Sequence, residues 1–449
     1  MKKFIILFFA INLILPPAFG IEANNNQYDY INIKYWEKFN DEKLVDNITK
    51  VVENNNDLKA AVLKVNEAQR LVKMSFANEL PHIGFEGYVG QIFNSADTRF
   101  GDLIIPDYTQ SQYLLPLTMN YEIDIWGKNH LKTKSKKKQF EMIKQDERSA
   151  HIYITSVFAC DYYNLIRIDK LIEFQKELIA IHKEVTESIK KRYEAGTATI
   201  NDVIAAEKAM TYLEEEYQNL LEKQDTLKNQ MSTLIADREF SDIDRETFDN
   251  VNVNLSIPEN IDVSMLDKRP DRIKSELDLE RIGIDVKVAK RNLLPSFIIT
   301  GNLGFNLYNL SSAHKFLADI GVVPTWDLFM GGLKIQNLKL QKDRYEIAVQ
   351  HYEKTILKSI QETNDALYSL KTSANVSSIS QNRTNSDLKE LELTKLKEDA
   401  GTADKLDLLL REEILIESQK QETSAQINKI IAGINLYQAL GGIDYTENI

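Results

Sequence analysis

One cysteine in 449 residues excludes an intramolecular disulfide. Cys160 falls inside a helical pattern, where a small buried hydrophobe is its expected role. Glycine and proline are scarce, at 17 and 9, which excludes collagen-like and low-complexity chains. Neither residue occurs from Lys128 to Tyr193, nor from Leu333 to Asp399. After the N-terminal segment no apolar run is long enough for a transmembrane helix. A membrane crossing would therefore need a closed β-barrel, because lipid tolerates no unpaired backbone group. Positive charge is short as well. Lys and Arg number 55 against 67 Asp and Glu, for a net charge of −12 and a pI near 5.2. That balance argues against nucleic acid as a partner. The basic run Lys132–Lys138 is the exception, and reads as a solvated helix face or a strip near a membrane surface. Catalytic motifs are missing too: HExxH, the Walker loop, GxSxG and a Cys–His–Asp set are all absent. No enzyme, cofactor or metal site is expected.

What is present begins with a secretory pattern. Lys2 and Lys3 precede the apolar core Phe4–Leu15, and Ala18-Phe19-Gly20 offers cleavage after Gly20. No cysteine lies near that site, so no lipid anchor is expected. Tyr28–Asn40 reads as a surface-lying lead-in. The organising stretch is Gln112–Lys128, QYLLPLTMNYEIDIWGK. Tyr113, Leu115, Leu117, Met119, Tyr121, Ile123 and Ile125 share one face, and Leu114, Pro116, Thr118, Asn120, Glu122 and Asp124 the other, which is mostly polar. Period two over this length predicts a strand long enough to cross a bilayer at a tilt. His82–Asn94 alternates likewise and predicts its hairpin partner. The pattern returns at Phe297–Tyr308 and at Asp319–Lys334, where Ile320, Val322, Pro324, Trp326 and Leu328 align. Tyr113, Tyr121, Trp126 and Trp326 lie near strand ends and suit a membrane-facing aromatic girdle.

Each predicted hairpin runs into a very long helix. Phe158, Leu165, Ile172 and Ile179 repeat every seven residues beside Leu171, Leu178 and Val185, as in a coiled-coil wall. Such a helix would be roughly 100 Å long. Ala195-Gly196-Thr197 predicts a turn with Gly196 in the left-handed cap, and Val203, Ala206, Met210, Leu213, Tyr217, Leu220, Leu227, Met231 and Leu234 mark the returning helix. Ala400-Gly401-Thr402 repeats the turn 205 residues later. Leu80-Pro81, Asp124 and Asp202 echo as Leu294-Pro295, Asp327 and Asp407. The chain reads as one unit built twice: helix, β-hairpin, very long helix, glycine turn, helix. The expected divisions are a signal peptide (1–20), lead-in and helices (21–79), first β-hairpin (80–127), first helical hairpin (128–236), connector (237–268) with a short possible strand at Val251–Ile257, helix (269–293), second β-hairpin (294–330), second helical hairpin (331–440) and tail (441–449). Four strands cannot close a membrane barrel, since the smallest need about eight, so several copies must pool theirs.

In order along the chain, YEIDIWGK (Tyr121–Lys128), RYEAGTATINDVIAAE (Arg192–Glu207), RPD (Arg269–Asp271), LPS (Leu294–Ser296), LFMGGL (Leu328–Leu333) and LYQALGG (Leu436–Gly442) resemble the TolC-type outer-membrane factors, above all those serving resistance-nodulation-division pumps. The resemblance implies an α+β membrane protein: a homotrimer with a shared twelve-stranded transmembrane β-barrel, four strands per chain, and a long α-helical coiled-coil tunnel across the periplasm. It implies a passive duct in the outer-membrane lipid that docks a periplasmic adaptor and an inner-membrane transporter. It also places a periplasmic gate past each glycine turn. Asp407 matches a gate aspartate, Asp404 shares its helix face, and Asn201 and Asp202 match the partner positions. Leu410 stands where the best-known member has a second ring aspartate, and Ala403 where it has a latching arginine. Asp202 and Asp407 also fit plain helix-start residues. Two other functions remain open on sequence: a duct for type I protein secretion, and a secreted coiled-coil adaptor without a barrel.

Overall fold

A computed structural model of the chain describes residues 33–94, 99–100, 103–104, 108–253, 256–308 and 313–445. The expected signal peptide and its cleavage after Gly20 lie outside the described residues. The helices are α1 (Ile33–Glu37), α2 (Glu42–Asn54), α3 (Asn56–Ala77), α4 (Lys128–Glu194), α5 (Ile200–Ile235), α6 (Pro270–Arg291), α7 (Leu333–Asp399) and α8 (Lys405–Ala439), besides one short turn at Val263–Leu266. The strands are β1 (His82–Phe85), β2 (Tyr88–Asn94), β3 (Tyr108–Ile123), β4 (Ser296–Tyr308) and β5 (Ala313–Thr325), with a two-residue ladder at Arg99–Phe100 and Leu103–Ile104.

All five strands form one antiparallel sheet in which β1 and β2 lie end to end beside β3, followed by β4 and β5. The expected single strand His82–Asn94 is thus broken at Glu86 and Gly87. Pro116 causes the break. Glu86 N–H donates to Pro116 O at 3.2 Å, but proline has no N–H to return. Two strand limits also differ from expectation. The first anchor strand runs Tyr108–Ile123, leaving Ile125 beyond its end. The second runs Ala313–Thr325, so Trp326 and Leu328 follow it.

The register confirms the alternation. Leu117 pairs with Phe85 on one side and Leu303 on the other, and Met119 with Ile83 and Gly301. Ile320 and Val322 extend this face from β5, where Phe305 and Phe316 meet edge to face at 5.6 Å. The opposite face carries Thr118, Asn120, Asn302 and Asp319, and Asn302 Nδ2 donates to Asp319 Oδ2 at 3.0 Å. The apolar face is bare: Ile83 is 72% and Ile320 76% exposed. Among the described residues, the outer edges of β1–β2 and of β5 have no partner strand.

The helices hang from this sheet. Gly127 and Gly332 start α4 and α7, each 67 residues and about 100 Å long. The antiparallel returns α5 and α8 have 36 and 35 residues. The heptads bury as expected at Phe158, Leu165, Ile172, Leu178, Val185, Val203, Ala206, Leu220 and Met231, and Ala348, Leu367 and Leu370 do so in α7. Tyr345, one step before Ala348 on that side of α7, is 36% exposed. The polar seam residue Gln224 is satisfied by Asp169, with Nε2 to Oδ1 at 2.6 Å.

The dense core sits midway along the helices. Tyr35, Trp36 and Phe39 of the lead-in are 1%, 0% and 1% exposed, which overturns the expected surface-lying segment. Tyr35 stacks on Tyr437 at 4.0 Å, Lys38 pairs with Asp444, and Tyr162 Oη donates to Asp41 Oδ1 at 2.9 Å. The two ends of the described chain are thereby bound to the middle of α4. The connector carries a 3₁₀ turn at Phe248–Asn250 and, among its described residues, no strand where Val251–Ile257 was expected. Arg245 anchors the connector to Asp169 of α4 at 2.6 Å.

Candidate functional site

The site lies where the two helical hairpins turn. Gly196 and Gly401 have φ of +73° and +71°, the left-handed cap expected of them. Thr197 N–H reaches Arg192 O at 2.9 Å, and Thr402 N–H reaches Lys397 O at 2.8 Å, closing both turns alike. After each turn the acidic residues start the returning helix. Asp202 Oδ2 accepts from Thr199 N–H and Thr199 Oγ1, both at 2.8 Å, and these bonds hold its carboxyl below the usual carboxylate range. Asp404 caps α8, its Oδ1 accepting from Leu406 N–H at 2.7 Å and Asp407 N–H at 3.2 Å. Asp407 accepts only one long bond, from Asp404 N–H at 3.4 Å, among the described residues. Of the three, it keeps the freest carboxylate. Asn201 is exposed and Leu410 is 41% exposed.

One functional contact was missed in the sequence. Arg192, at the end of α4, pairs with the free oxygen of Asp404, an ion pair that ties one hairpin turn to the other. Its signal was its place at the head of the RYEAGTA stretch. A second tie, Lys405 Nζ to Glu184 Oε2, spans 2.7 Å. No bond joins Asp202 to Asp404 or Asp407 among the described residues. The structure therefore unites Asp404, Asp407 and Arg192 and leaves Asn201 and Asp202 on their own hairpin.

The Arg192–Asp404 pair is the outermost of six polar contacts between α4 and α8, and Lys405–Glu184 is the next. Moving away from the turn, His182 Nδ1 meets Glu413 Oε1 at 2.6 Å, Lys420 Nζ donates to Gln175 Oε1 at 3.0 Å, Arg167 donates to Asn428 Oδ1 at 3.1 Å, and Cys160 Sγ lies 4.0 Å from Asn435 Oδ1. From the His182–Glu413 pair inward, steps of seven or eight residues up α4 are matched by equal steps down α8, so these four contacts stay in register. His182 also places Nε2 3.0 Å from Ala206 O. Both its partners are acceptors, so the junction needs a hydrogen on each ring nitrogen or one on Glu413. Burial pushes the Cys160 thiol up to about 12, with Asp161 adding to it, so the thiol is inert, as a structural cysteine should be.

At the opposite end, Trp126 Nε1 donates to Pro295 O at 2.7 Å and Trp326 Nε1 to Leu293 O at 3.2 Å. The two indoles hold the turn between α6 and β4 while their rings stay 40% and 60% exposed. Tyr113 and Tyr121 fall on the apolar face, opposite Val89 and Ile299.

No helix among the described residues is long and apolar enough to cross a membrane. The fold has close counterparts. It superposes on the CmeC outer membrane channel of Campylobacter jejuni with a TM-score of 0.83 at 22% identity, covering 96% of this chain and 93% of that one. VceC of Vibrio cholerae gives 0.79 at 21%, covering 91% and 98%. In sequence, the chain is 23% identical to the cation efflux system protein CusC of Escherichia coli O157:H7 over 95% of this chain and 93% of CusC. It is 24% identical to the toluene efflux pump outer membrane protein TtgC of Pseudomonas putida over 91% and 85%. The probable outer membrane lipoprotein SilC of Salmonella typhimurium is 22% identical over 88% and 85%. Residues 47–236 and 263–442 match one family, and the chain belongs to it: it is an outer membrane efflux protein.

Proposed function

We propose that three copies of this chain form one exit duct. Each copy contributes its four sheet lanes to a twelve-stranded barrel in the outer membrane, and its helical hairpins wall a periplasmic tunnel built on an internal two-fold repeat. The observation that carries this reading is the sheet. Its apolar face is exposed, and both edges are open. Unpaired edges are intolerable in lipid, and neighbouring copies can satisfy them by continuing the ladder. The duct is passive. A periplasmic adaptor and an inner-membrane transporter would deliver its cargo, making the complex a tripartite efflux system. CusC is named for cation efflux and TtgC for toluene efflux at nearly equal identity, so the cargo is set by the transporter and not by features these chains share. Asp407, with Asp404, Asp202, Asn201 and Leu410, would ring the periplasmic opening. Tyr113, Tyr121, Trp126 and Trp326 would border the lipid. Cross-linking in mild detergent is expected to give trimers, and monomers or dimers alone would refute the pooled barrel.

A further inference from the structure

Beneath the apolar side of the sheet lies a basic groove of about 870 Å³ whose lining includes Lys134 of α4, Lys287 of α6 and Lys342 of α7. All three lysines are exposed. Among the described residues none of them has a carboxylate partner, whereas Lys138 beside them is held by Glu280. Glu346 also lines the groove. Its floor carries Gly283 and the buried Ile284 of α6.

Two observations fix which way the groove opens. Lys128 Nζ donates to Glu122 Oε1 at 2.6 Å, and Glu122 belongs to the polar face of β3, so Lys128 and Lys132 mark the polar side of α4. Lys134 lies about 200° around the helix from Lys132 at 100° per residue. The groove therefore opens on the side of Phe85, Leu117, Leu303 and Ile320. Helix α6 also packs between α4 and α7 of its own chain, so the groove is not an edge waiting for a neighbouring copy. Its height is set by the helix ends. Lys134 is six residues past the start of α4, Lys287 four before the end of α6, and Lys342 nine past the start of α7. At 1.5 Å per residue these are about 6–14 Å below the sheet, within reach of a lysine that extends its amine upward along its stem.

We propose that this groove binds the phosphate headgroup of an anionic phospholipid in the periplasmic leaflet, whose acyl chains lie on the apolar sheet face directly above. The inference rests on the reading that the sheet spans the outer membrane. Charge complementarity and continuity with the apolar face identify the occupant: unpaired amines sit at headgroup depth, under a surface that only acyl chains can cover. Amines near an anionic surface contribute about fivefold each to binding, so the three together give roughly a hundredfold preference.

The test uses the full-length trimer inserted in nanodiscs containing either phosphatidylcholine alone or phosphatidylcholine with phosphatidylglycerol, with bound lipid read by native mass spectrometry. The wild type is expected to retain phosphatidylglycerol selectively. The triple variant Lys134→Gln, Lys287→Gln, Lys342→Gln is expected to lose about a hundredfold of that selectivity while still inserting and conducting. The control Lys132→Gln, Lys136→Gln, on the polar side of α4, is expected to keep it. Soluble glycerol phosphate should not displace the lipid. Equal retention by the triple variant, equal loss in the control, or displacement by glycerol phosphate would each overturn the proposal. Insertion and conductance are scored in the same samples. A chain that neither inserts nor conducts refutes the duct itself, and a conducting trimer without lipid selectivity refutes only the groove.

Discussion

Two adjacent residues give a sharp test of the sheet. Leu117 lies six residues from the end of β3 that leads into α4, which is about 20 Å along the strand and, at a tilt near 45°, about 14 Å in depth. That is close to the middle of an apolar band about 25 Å tall. Its neighbours across the ladder are Phe85 and Leu303, so an arginine there meets only apolar side chains and lipid. The cost is roughly 2–4 kcal/mol per chain, or about 6–12 for a trimer, which at about 1.4 kcal/mol per tenfold suppresses assembly by at least four orders of magnitude. Thr118 is at the same depth and faces the other way, between Gly84 and Asn302. Leu117→Arg should therefore leave the outer-membrane fraction without trimer, and Thr118→Arg should assemble at wild-type yield. Trimer yield is measured by membrane fractionation followed by unheated gel electrophoresis. Equal yields from the two variants would refute both the face assignment and the barrel built on it.

Three further outcomes follow from the site and the core. Asp407→Asn should lower cation selectivity in planar-bilayer recordings, because rings of carboxylates favour cations. Asp202→Asn, whose carboxylate is engaged by Thr199, should change selectivity little. Asp161, raised by burial from 3.8 to about 6, binds its proton more tightly folded than unfolded, so its contribution to stability is full below the lower value and is lost as the pH rises through the higher one. Asp161→Asn should raise the melting temperature at neutral pH and change it little at about pH 4, as read by thermal denaturation in detergent. Gly441 has φ of +71°, and a Cβ there would come within 2.9 Å of Pro270 Cδ. Gly441→Ala should cost roughly 2–5 kcal/mol through backbone strain and overpacking, measured as lost folded yield.

Much of this architecture was legible because its periodicities are long. The alternation from Tyr113 to Ile125 and the heptads within the two 67-residue helices leave little ambiguity between period two and period 3.5. The two glycine turns were equally plain, since only a left-handed cap explains a lone glycine between such helices. What failed was short or non-local. Helix α1 has five residues, too few to show a period, so nothing local revealed that Tyr35 and Trp36 are buried against Tyr437. Pro116 looked like one more residue of an alternating run, and its missing N–H matters only once Glu86 is placed opposite. Of the site, the turns and the helix-start acids could be read. The Arg192–Asp404 pair could not, because its partners are 212 residues apart.

The matched polar contacts between α4 and α8 also decide which movements the two helices can make. An apolar seam lets one helix slide along the other, because one leucine replaces another at little cost. A rack of hydrogen bonds in step does not: an axial slip of one turn would part every tooth at once. Sliding is therefore locked and peeling is left free. The outermost tooth is also more exposed than the His182–Glu413 pair. At the turn, Arg192 and Asp404 are 42% and 52% exposed, where water and salt weaken an ion pair most. Deeper in, His182 and Glu413 are 10% and 19% exposed. Separation of the hairpins would begin at the exposed Arg192–Asp404 pair and meet its first shielded tooth at His182–Glu413, so the turns can part while the helices above them hold their place.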